Sequence, residues 1–181
     1  MPALQIYDKG PCEIVYGYGE SGALYLGKTL GSVKLTMETH DSDINEDQAG
    51  DAAVSAILTG SVVAFEAPLT RLSAEQLATV LNSEVDAEGR IPIKNQVGCD
   101  LYSLSKQVVI KPLCGNVVSE DPATWTHLYH CYPVAGLDLT WDKETQRIFP
   151  VKFKVFVSQE SGWEGDFGTL HMESGSTEYG I

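Results

Sequence analysis

The sequence is short of positive charge. Its 181 residues include 12 Lys and Arg against 25 Asp and Glu, for a net charge of -13. Between Leu35 and Thr70 there are seven carboxylates and no Lys or Arg, and no Lys or Arg follows Lys154. A negatively charged surface repels phosphate, which argues against a conventional nucleic-acid-binding surface. Taken singly, most of these carboxylates are expected to serve solubility.

Long apolar segments are also missing. No window approaches 18 uninterrupted apolar residues, and residues 1–5 carry neither a basic region nor an apolar run of signal length. The four cysteines, Cys12, Cys99, Cys114 and Cys131, form no C-x-x-C pair and sit in apolar surroundings. They are expected to be reduced, half-buried thiols of a protein made and kept in cytoplasm-like conditions.

Catalytic motifs are absent as well. The sequence has no G-x-S-x-G elbow, no HExxH and no Gly-rich phosphate loop with its lysine. The nearest glycine cluster, residues 17–22, runs into the strand-like residues 23–26 and therefore predicts a turn. Paired carboxylates for glycoside chemistry depend on the fold, and nothing in the sequence selects a pair. We therefore expect a protein that is not an enzyme and uses no cofactor.

A calcium loop is only partly matched. Asp41, Asp43 and Asn45 occupy the first, third and fifth ligand positions. The sixth position is Glu46 instead of the required Gly, and the twelfth is Ala52 instead of a bidentate Glu. Calcium binding is not expected.

Zinc ligands are similarly incomplete. His127, His130 and Cys131 lie close in sequence, but in a regular strand His127 and His130 point to opposite faces, and a fourth ligand is not evident. Both histidines are interpreted as packing residues, and no metal site is predicted.

Alternating apolar and polar residues are the dominant pattern. Residues 149–157 place Phe149, Val151, Phe153, Val155 and Val157 on one face, which predicts a long strand. Shorter alternating runs cover residues 33–38, 61–66 and 128–132. Glycines between the runs are typical of strands joined by turns, so the sequence predicts a mainly β, largely antiparallel sandwich or barrel.

One segment predicts a helix. Ser73 is suited to cap it and Gln76 stands at the capping-box position, while Leu72 is placed to staple onto Leu77. The helix should cover about residues 73–82 and pack an apolar stripe that includes Val80 on the sheet.

The domain organisation is simple. We expect a β-sandwich or barrel over residues 1–157, followed at 158–181 by a Gly-, Ser- and Glu-rich hairpin or tail that belongs to the same domain or extends from it. The hairpin would lie around residues 163–172. Residues 40–52 are interpreted as a long acidic loop between two strands, and a loop of that length is usually functional or docked on something.

The order of these features resembles the tail tube (major tail) proteins of long-tailed bacteriophages. The strand at 33–38 is followed by the acidic stretch Glu46-Asp47-Gln48-Ala49-Gly50, then by the hydrophobic turn and glycine of residues 57–60, which lead into the strand 61–67 and the helix 73–81. Residues 147–151, Arg-Ile-Phe-Pro-Val, look like the start of the family's long late strand. The similarity covers roughly residues 31–157.

The resemblance implies a β subunit that assembles into hexameric rings, which stack into a tube through which DNA passes without specific binding. Its partners would be copies of itself and other tail proteins such as the tape measure, terminator and distal tail proteins, with no membrane involved. It would be located in the virion tail after assembly in the host cytoplasm. The acidic residues at contacts between subunits or on the lumen would be Glu38, Asp41, Asp43, Glu46, Asp47 and Asp51.

Two other readings fit the same pattern. One is a different β-rich virion part, such as a tail terminator or a decoration protein. The other is a carbohydrate- or ligand-binding β-sandwich, in which Trp125, Trp141, Trp163 and some of the eight tyrosines would stack on sugar rings.

Overall fold

The structure is a computed structural model. It describes residues 11–26, 28–29, 31–45, 53–70, 72–94, 97–114, 117–134 and 148–170. Within these ranges the chain is mainly β, with antiparallel strands and a short α-helix, as the sequence predicts.

The described residues contain ten strands, one α-helix and a short 3-10 helix at Pro122–Thr124. In chain order the strands and the α-helix are β1 (Cys12–Tyr16), β2 (Leu24–Tyr25), β3 (Lys28–Thr29), β4 (Lys34–Asn45), β5 (Ala53–Thr70), α1 (Ala74–Val80), β6 (Lys106–Cys114), β7 (Val117–Val118), β8 (Thr126–Val134), β9 (Phe149–Phe156) and β10 (Gly168–Leu170). The main path of the sheet is β2-β1-β6-β8-β9-β5-β3, while β10, β4 and β7 pair with β8, β5 and β6 respectively.

The sheet is strongly curved. Strands β1 and β9 are three steps apart in the sheet, which corresponds to about 14 Å at the usual strand spacing. The rings of Tyr16 and Phe153, one on each strand, nevertheless have centroids only 6.0 Å apart. The sheet therefore wraps its apolar face around an interior core.

The core follows the alternation read from the sequence. In β9, Val151, Phe153 and Val155 are buried, whereas Lys152 and Lys154 are exposed. Phe65 in the neighbouring strand β5 is fully buried, with its ring centroid 5.3 Å from that of Phe153. The predicted strand is thus confirmed over residues 149–156, with its inward face at the centre of the core. Val157, expected on the same face, lies beyond β9 and is exposed.

The predicted helix is confirmed with its cap. The Ser73 hydroxyl accepts from the backbone N–H of Gln76 at 3.2 Å, and the Gln76 side chain accepts from the backbone N–H of Ser73 at 2.7 Å. The Gln76 amide also donates to the Tyr25 carbonyl at 2.6 Å, while Ala78 and Val80 are buried. Helix α1 is therefore attached to the end of the sheet that carries β2.

The acidic loop predicted at residues 40–52 is wrong for its first half. Residues 40–45 continue β4 and pair with β5, which itself begins at Ala53. Residues 57–60, expected to be a turn, lie inside β5. Residues 46–52 lie outside the described part of the chain.

The segment after β9 returns to the same sheet. Ser158 is buried and its N–H bonds to the carbonyl of Asp166, and β10 then pairs with β8. Within residues 158–170, β10 pairs with β8, while the hairpin predicted around residues 163–172 extends beyond the described part of the chain. A side chain at Gly168 would overlap the His127 carbonyl, which explains the glycine at this close approach.

Candidate assembly surface

The most exposed apolar surface lies on the hairpin formed by β4 and residues 53–66 of β5, which we call the arm. Of the seventeen large apolar side chains exposed in the described residues, seven lie in the arm: Leu35, Met37, Ile44, Val54, Ile57, Leu58 and Val62. Met37, Ile57 and Leu58 have exposed fractions of 62%, 58% and 64%. Single exposed apolar residues are normal on a protein surface, whereas a concentration of them is typical of interaction surfaces, which makes the arm the candidate site.

The arm has unpaired backbone edges. Among the described strands β4 pairs only with β5, so its outer edge is open along twelve residues. On the other side, β9 pairs with β5 only from Val63 to Leu69, which leaves residues 53–62 of β5 bonded to β4 alone. Open edges of this length are templates for pairing with another strand.

A β-bulge divides the arm. His40 lies opposite Gly60 and Asp41 lies opposite Leu58, so Thr59 is the extra residue on β5. The Thr59 hydroxyl donates to the His40 carbonyl at 2.9 Å across the bulge. We call residues 34–40 with 60–66 the base of the arm, and residues 41–45 with 53–58 the distal arm.

The carboxylates predicted from the sequence do not form one cluster. Asp41 and Asp43 lie on the same face of the distal arm, since they pair with Leu58 and Ala56. Glu38 lies on the opposite face of the base, paired with Val62. All three are exposed. The other three predicted residues, Glu46, Asp47 and Asp51, lie outside the described residues.

An ion pair anchors the base of the arm to the sheet. Glu66 on β5 lies opposite Lys152 on β9, and Nζ of Lys152 is 2.7 Å from Oε1 of Glu66. The hydrogen bond and the charge of Lys152 hold the pKa of the Glu66 carboxyl below its usual value, with a smaller contribution from the charge of Lys34. The two lysines of this region, Lys34 and Lys152, thus lie beside Glu66, where the arm joins the rest of the sheet.

A second polar group resembles a catalytic triad in composition only. Nδ1 of His130 lies 3.2 Å from the Ser105 hydroxyl, and Nε2 lies 3.8 Å from a carboxylate oxygen of Glu160. A nucleophilic serine must give its proton to the histidine. Here the Ser105 hydroxyl instead donates to the Tyr102 carbonyl at 2.6 Å.

The Tyr102 side chain completes that network. Its hydroxyl accepts from the Gln159 backbone N–H at 3.0 Å and lies 3.2 Å from Nε2 of His130, on which its ring also stacks. The bonds form a chain in which each polar atom has a structural partner. We interpret the network as structural: it holds the loop before β6 and the segment after β9 against β8.

The two histidines of β8 lie on the same face, so the prediction of opposite faces is wrong. Leu128 and Cys131 both belong to the core although they are three residues apart, because β8 has a bulge between them opposite β6. His127 and His130 consequently both point away from the core. Among the described residues no group of three His, Cys, Asp or Glu could hold a metal ion.

The aromatic residues considered for sugar binding are mostly engaged in the fold. Trp125 is buried, with its indole N–H donating to the Ser119 carbonyl at 2.8 Å and Nζ of Lys111 4.2 Å above its ring. Trp163 is half exposed, but its ring stacks on Tyr129 with centroids 4.7 Å apart. Trp141 lies outside the described residues.

The cysteines differ from one another in exposure. Cys12 is half-buried as expected, while Cys131 is fully buried and Cys99 is exposed. All three are free thiols. Only the backbone of Cys114 is described, at the end of β6.

Sequence reasoning missed the apolar residues of the arm as a surface. The alternation places Met37 and Val62 in short strands without predicting that they are exposed, and residues 57–60 are expected to form a turn that leads into the second strand. One signal in the sequence could have indicated this surface. The mainly apolar segment Val54-Ser55-Ala56-Ile57-Leu58 follows the polar residues 40–52, which offer few apolar side chains to pack against it.

No protein-family model and no curated protein matches this chain. None of the described helices is long and apolar enough to cross a membrane.

Proposed function

We propose that the chain is a tail tube subunit of a long-tailed bacteriophage, which self-assembles into stacked rings, hexameric as in the family it resembles, to form a conduit for DNA. The observation that carries the proposal is the arm: a two-stranded extension with open edges and seven exposed large apolar side chains. In a monomer this apolar surface and these strand edges stay in contact with water, whereas in an assembly they are buried and the edges can pair.

The position of the arm favours a ring. Four of its seven exposed large apolar residues lie in residues 53–62 of β5, while residues 63–69 of the same strand pair with β9 in the body. A contact between the arm of one copy and a different surface of the next is heterologous, and heterologous contacts generate closed rings or open helical arrays. Closure into a ring would also cover the open edges of the arm, which limits uncontrolled aggregation.

The charge is suited to a conduit. A channel for DNA must let phosphates slide, and a net charge of -13 with an arm free of basic side chains beyond Lys34 gives DNA little to bind. Partners would be copies of the chain and other tail proteins at the ends and interior of the tube. The tape measure, terminator and distal tail proteins are the expected classes.

Electron microscopy of the purified full-length chain tests the proposal. Rings or tubes with an open axial channel are the expected result, across a range of protein concentrations. Single rings that never stack would indicate a tail terminator instead of a tube subunit. Persistent monomers, combined with specific binding to a glycan array, would overturn the proposal in favour of a carbohydrate-binding module.

A further inference from the structure

The base of the arm has a normal inside and outside. On one face, Leu35 pairs with Phe65 and Met37 with Val63, so the apolar side chains continue the core face of β5. On the opposite face Lys34 lies across from Glu66, and Glu38 follows on the same side. Apart from the exposed Val62 opposite Glu38, the large side chains of this face are polar or charged, as is usual for the outer face of a half-buried hairpin.

The distal arm reverses this arrangement. The face that continues from Leu35 and Met37 now carries the two carboxylates, Asp41 and Asp43. The other face has no charged side chain. It consists of two directly opposed pairs, Ser42 with Ile57 and Ile44 with Ser55.

The reversal takes place at the bulge. Strand β4 keeps its alternation through His40 and Asp41, whereas β5 gains one residue at Thr59. Nearer the core, the odd-numbered residues of β5 share a face with Leu35 and Met37. Beyond the extra residue this face is occupied by even-numbered residues, so Leu58 lies beside Asp41 and Ile57 lies on the opposite face. A strand register that exposes isoleucine on the outer side of its own subunit is explained if something outside the subunit covers it.

We propose that the distal arm seats its uncharged face, formed by Ser42, Ile44, Ser55 and Ile57, on a second copy of this chain, while Asp41 and Asp43 stay on the opposite, open face. The inference rests on the proposed self-assembly and states which side of the arm makes the contact. In a tube it leaves the two carboxylates available to face the lumen.

The charges favour a second copy as the occupant. A basic partner would be drawn to the face that carries Asp41 and Asp43. Another copy of this chain is itself strongly acidic, at -13, and is repelled by that face. The uncharged face admits an acidic partner, because the two carboxylates are turned away from the contact.

Ile57 and Leu58 provide a matched pair of variants. They are adjacent, similarly exposed at 58% and 64%, and lie on opposite faces of the distal arm. Ile57→Asp places a carboxylate in the proposed contact, whereas Leu58→Asp places one beside Asp41 on the open face. Neither substitution touches the core, so at protein concentrations too low for assembly both variants should unfold at the temperature of the wild-type monomer.

Sedimentation velocity over a concentration series measures the effect. Ile57→Asp is expected to raise the concentration needed for half-assembly by about tenfold or more, because it places a carboxylate in an apolar contact with an acidic partner. Leu58→Asp should assemble within about threefold of wild type. Equal loss in both variants, or a larger loss in Leu58→Asp, would overturn the assignment of faces. Failure of the wild-type chain to assemble would instead contradict the proposed function.

A chemical readout checks the same faces without adding charge. In a Cys99→Ser background, Ser42→Cys should be protected from maleimide in the assembled state, and Asp43→Cys should remain reactive. The adjacent positions again lie on opposite faces. Protection of Asp43→Cys with a reactive Ser42→Cys would contradict the proposal.

Discussion

The Thr59 hydroxyl donates a hydrogen bond to the His40 carbonyl, 2.9 Å away, across the bulge in the arm. On the C-terminal side of Thr59, one face of β5 continues into the core of its own subunit. On the N-terminal side, in the distal arm, the same face carries Asp41 and Asp43, and the opposite face has no charged side chain. A local backbone irregularity thus separates the part of the hairpin that stabilises the fold from the part available to a partner.

Removing that hydrogen bond should impair assembly without unfolding the subunit. Thr59→Val keeps the shape of the side chain, and the hydrogen bond is exposed, so the free energy of unfolding should fall by no more than about 1 kcal/mol. Assembly should nevertheless weaken, because the distal arm is held less firmly at the bulge. Thr36→Val is the control, since the Thr36 hydroxyl bonds to the Ala64 carbonyl within the base. Equal assembly by both variants would show that the bulge does not orient the arm.

The buried pair Phe65 and Phe153 should dominate stability. Phe65→Ala leaves a cavity beside the Phe153 ring and should lower the free energy of unfolding by about 3–5 kcal/mol, measured by denaturant titration. Met37→Ala, an exposed position on the same face of the arm, should change it by no more than about 0.5 kcal/mol. A large loss in Met37→Ala would mean that the arm is part of the monomer's core.

The thiols should react in order of their exposure. Burial raises the pKa of the Cys131 thiol well above its ordinary value, so almost no reactive thiolate forms near neutral pH. Alkylation followed by peptide mapping should modify Cys99 in the native protein and Cys131 only after denaturant is added. Modification of native Cys131 at the rate of Cys99 would contradict the buried position at the centre of β8.

Salt should promote assembly. Raising sodium chloride from about 0.01 M to about 1 M shortens the screening length from about 30 Å to about 3 Å, which weakens repulsion between copies that each carry -13. Light scattering should show a larger assembled fraction at high salt. Chloride is preferred over sulfate, because sulfate strengthens apolar burial by itself. Assembly that dissolves as salt rises would indicate contacts made by ion pairs.

The sequence predicts those parts of the fold where one face of an element is buried. In β9 the alternation around Phe153 and in α1 the cap at Ser73 are local signals, and both identify their elements correctly. The antiparallel β class follows from several such segments together.

The arm lacked this signal. Residues 40–45 belong to a strand, but the side chains of residues 40–44 are exposed on both faces, so burial imposes no alternation and the polar side chains resemble those of a loop. The bulges at Thr59 and between Leu128 and Cys131 are set by pairing with neighbouring strands, which no local pattern records. For that reason the sides taken by Asp41, Asp43 and His130 became evident only from the strand register.

Trimming the arm tests its role in assembly most directly. Replacing residues 39–61 with an Asn-Gly turn joins Glu38 to Val62, which already lie opposite each other, and leaves every core residue in place. Sedimentation velocity should show ring-sized or larger species for the full chain, and folded monomers, with β-type circular dichroism, for the trimmed chain. Identical assembly by the two chains would contradict the claim that this protein functions by self-association through its arm.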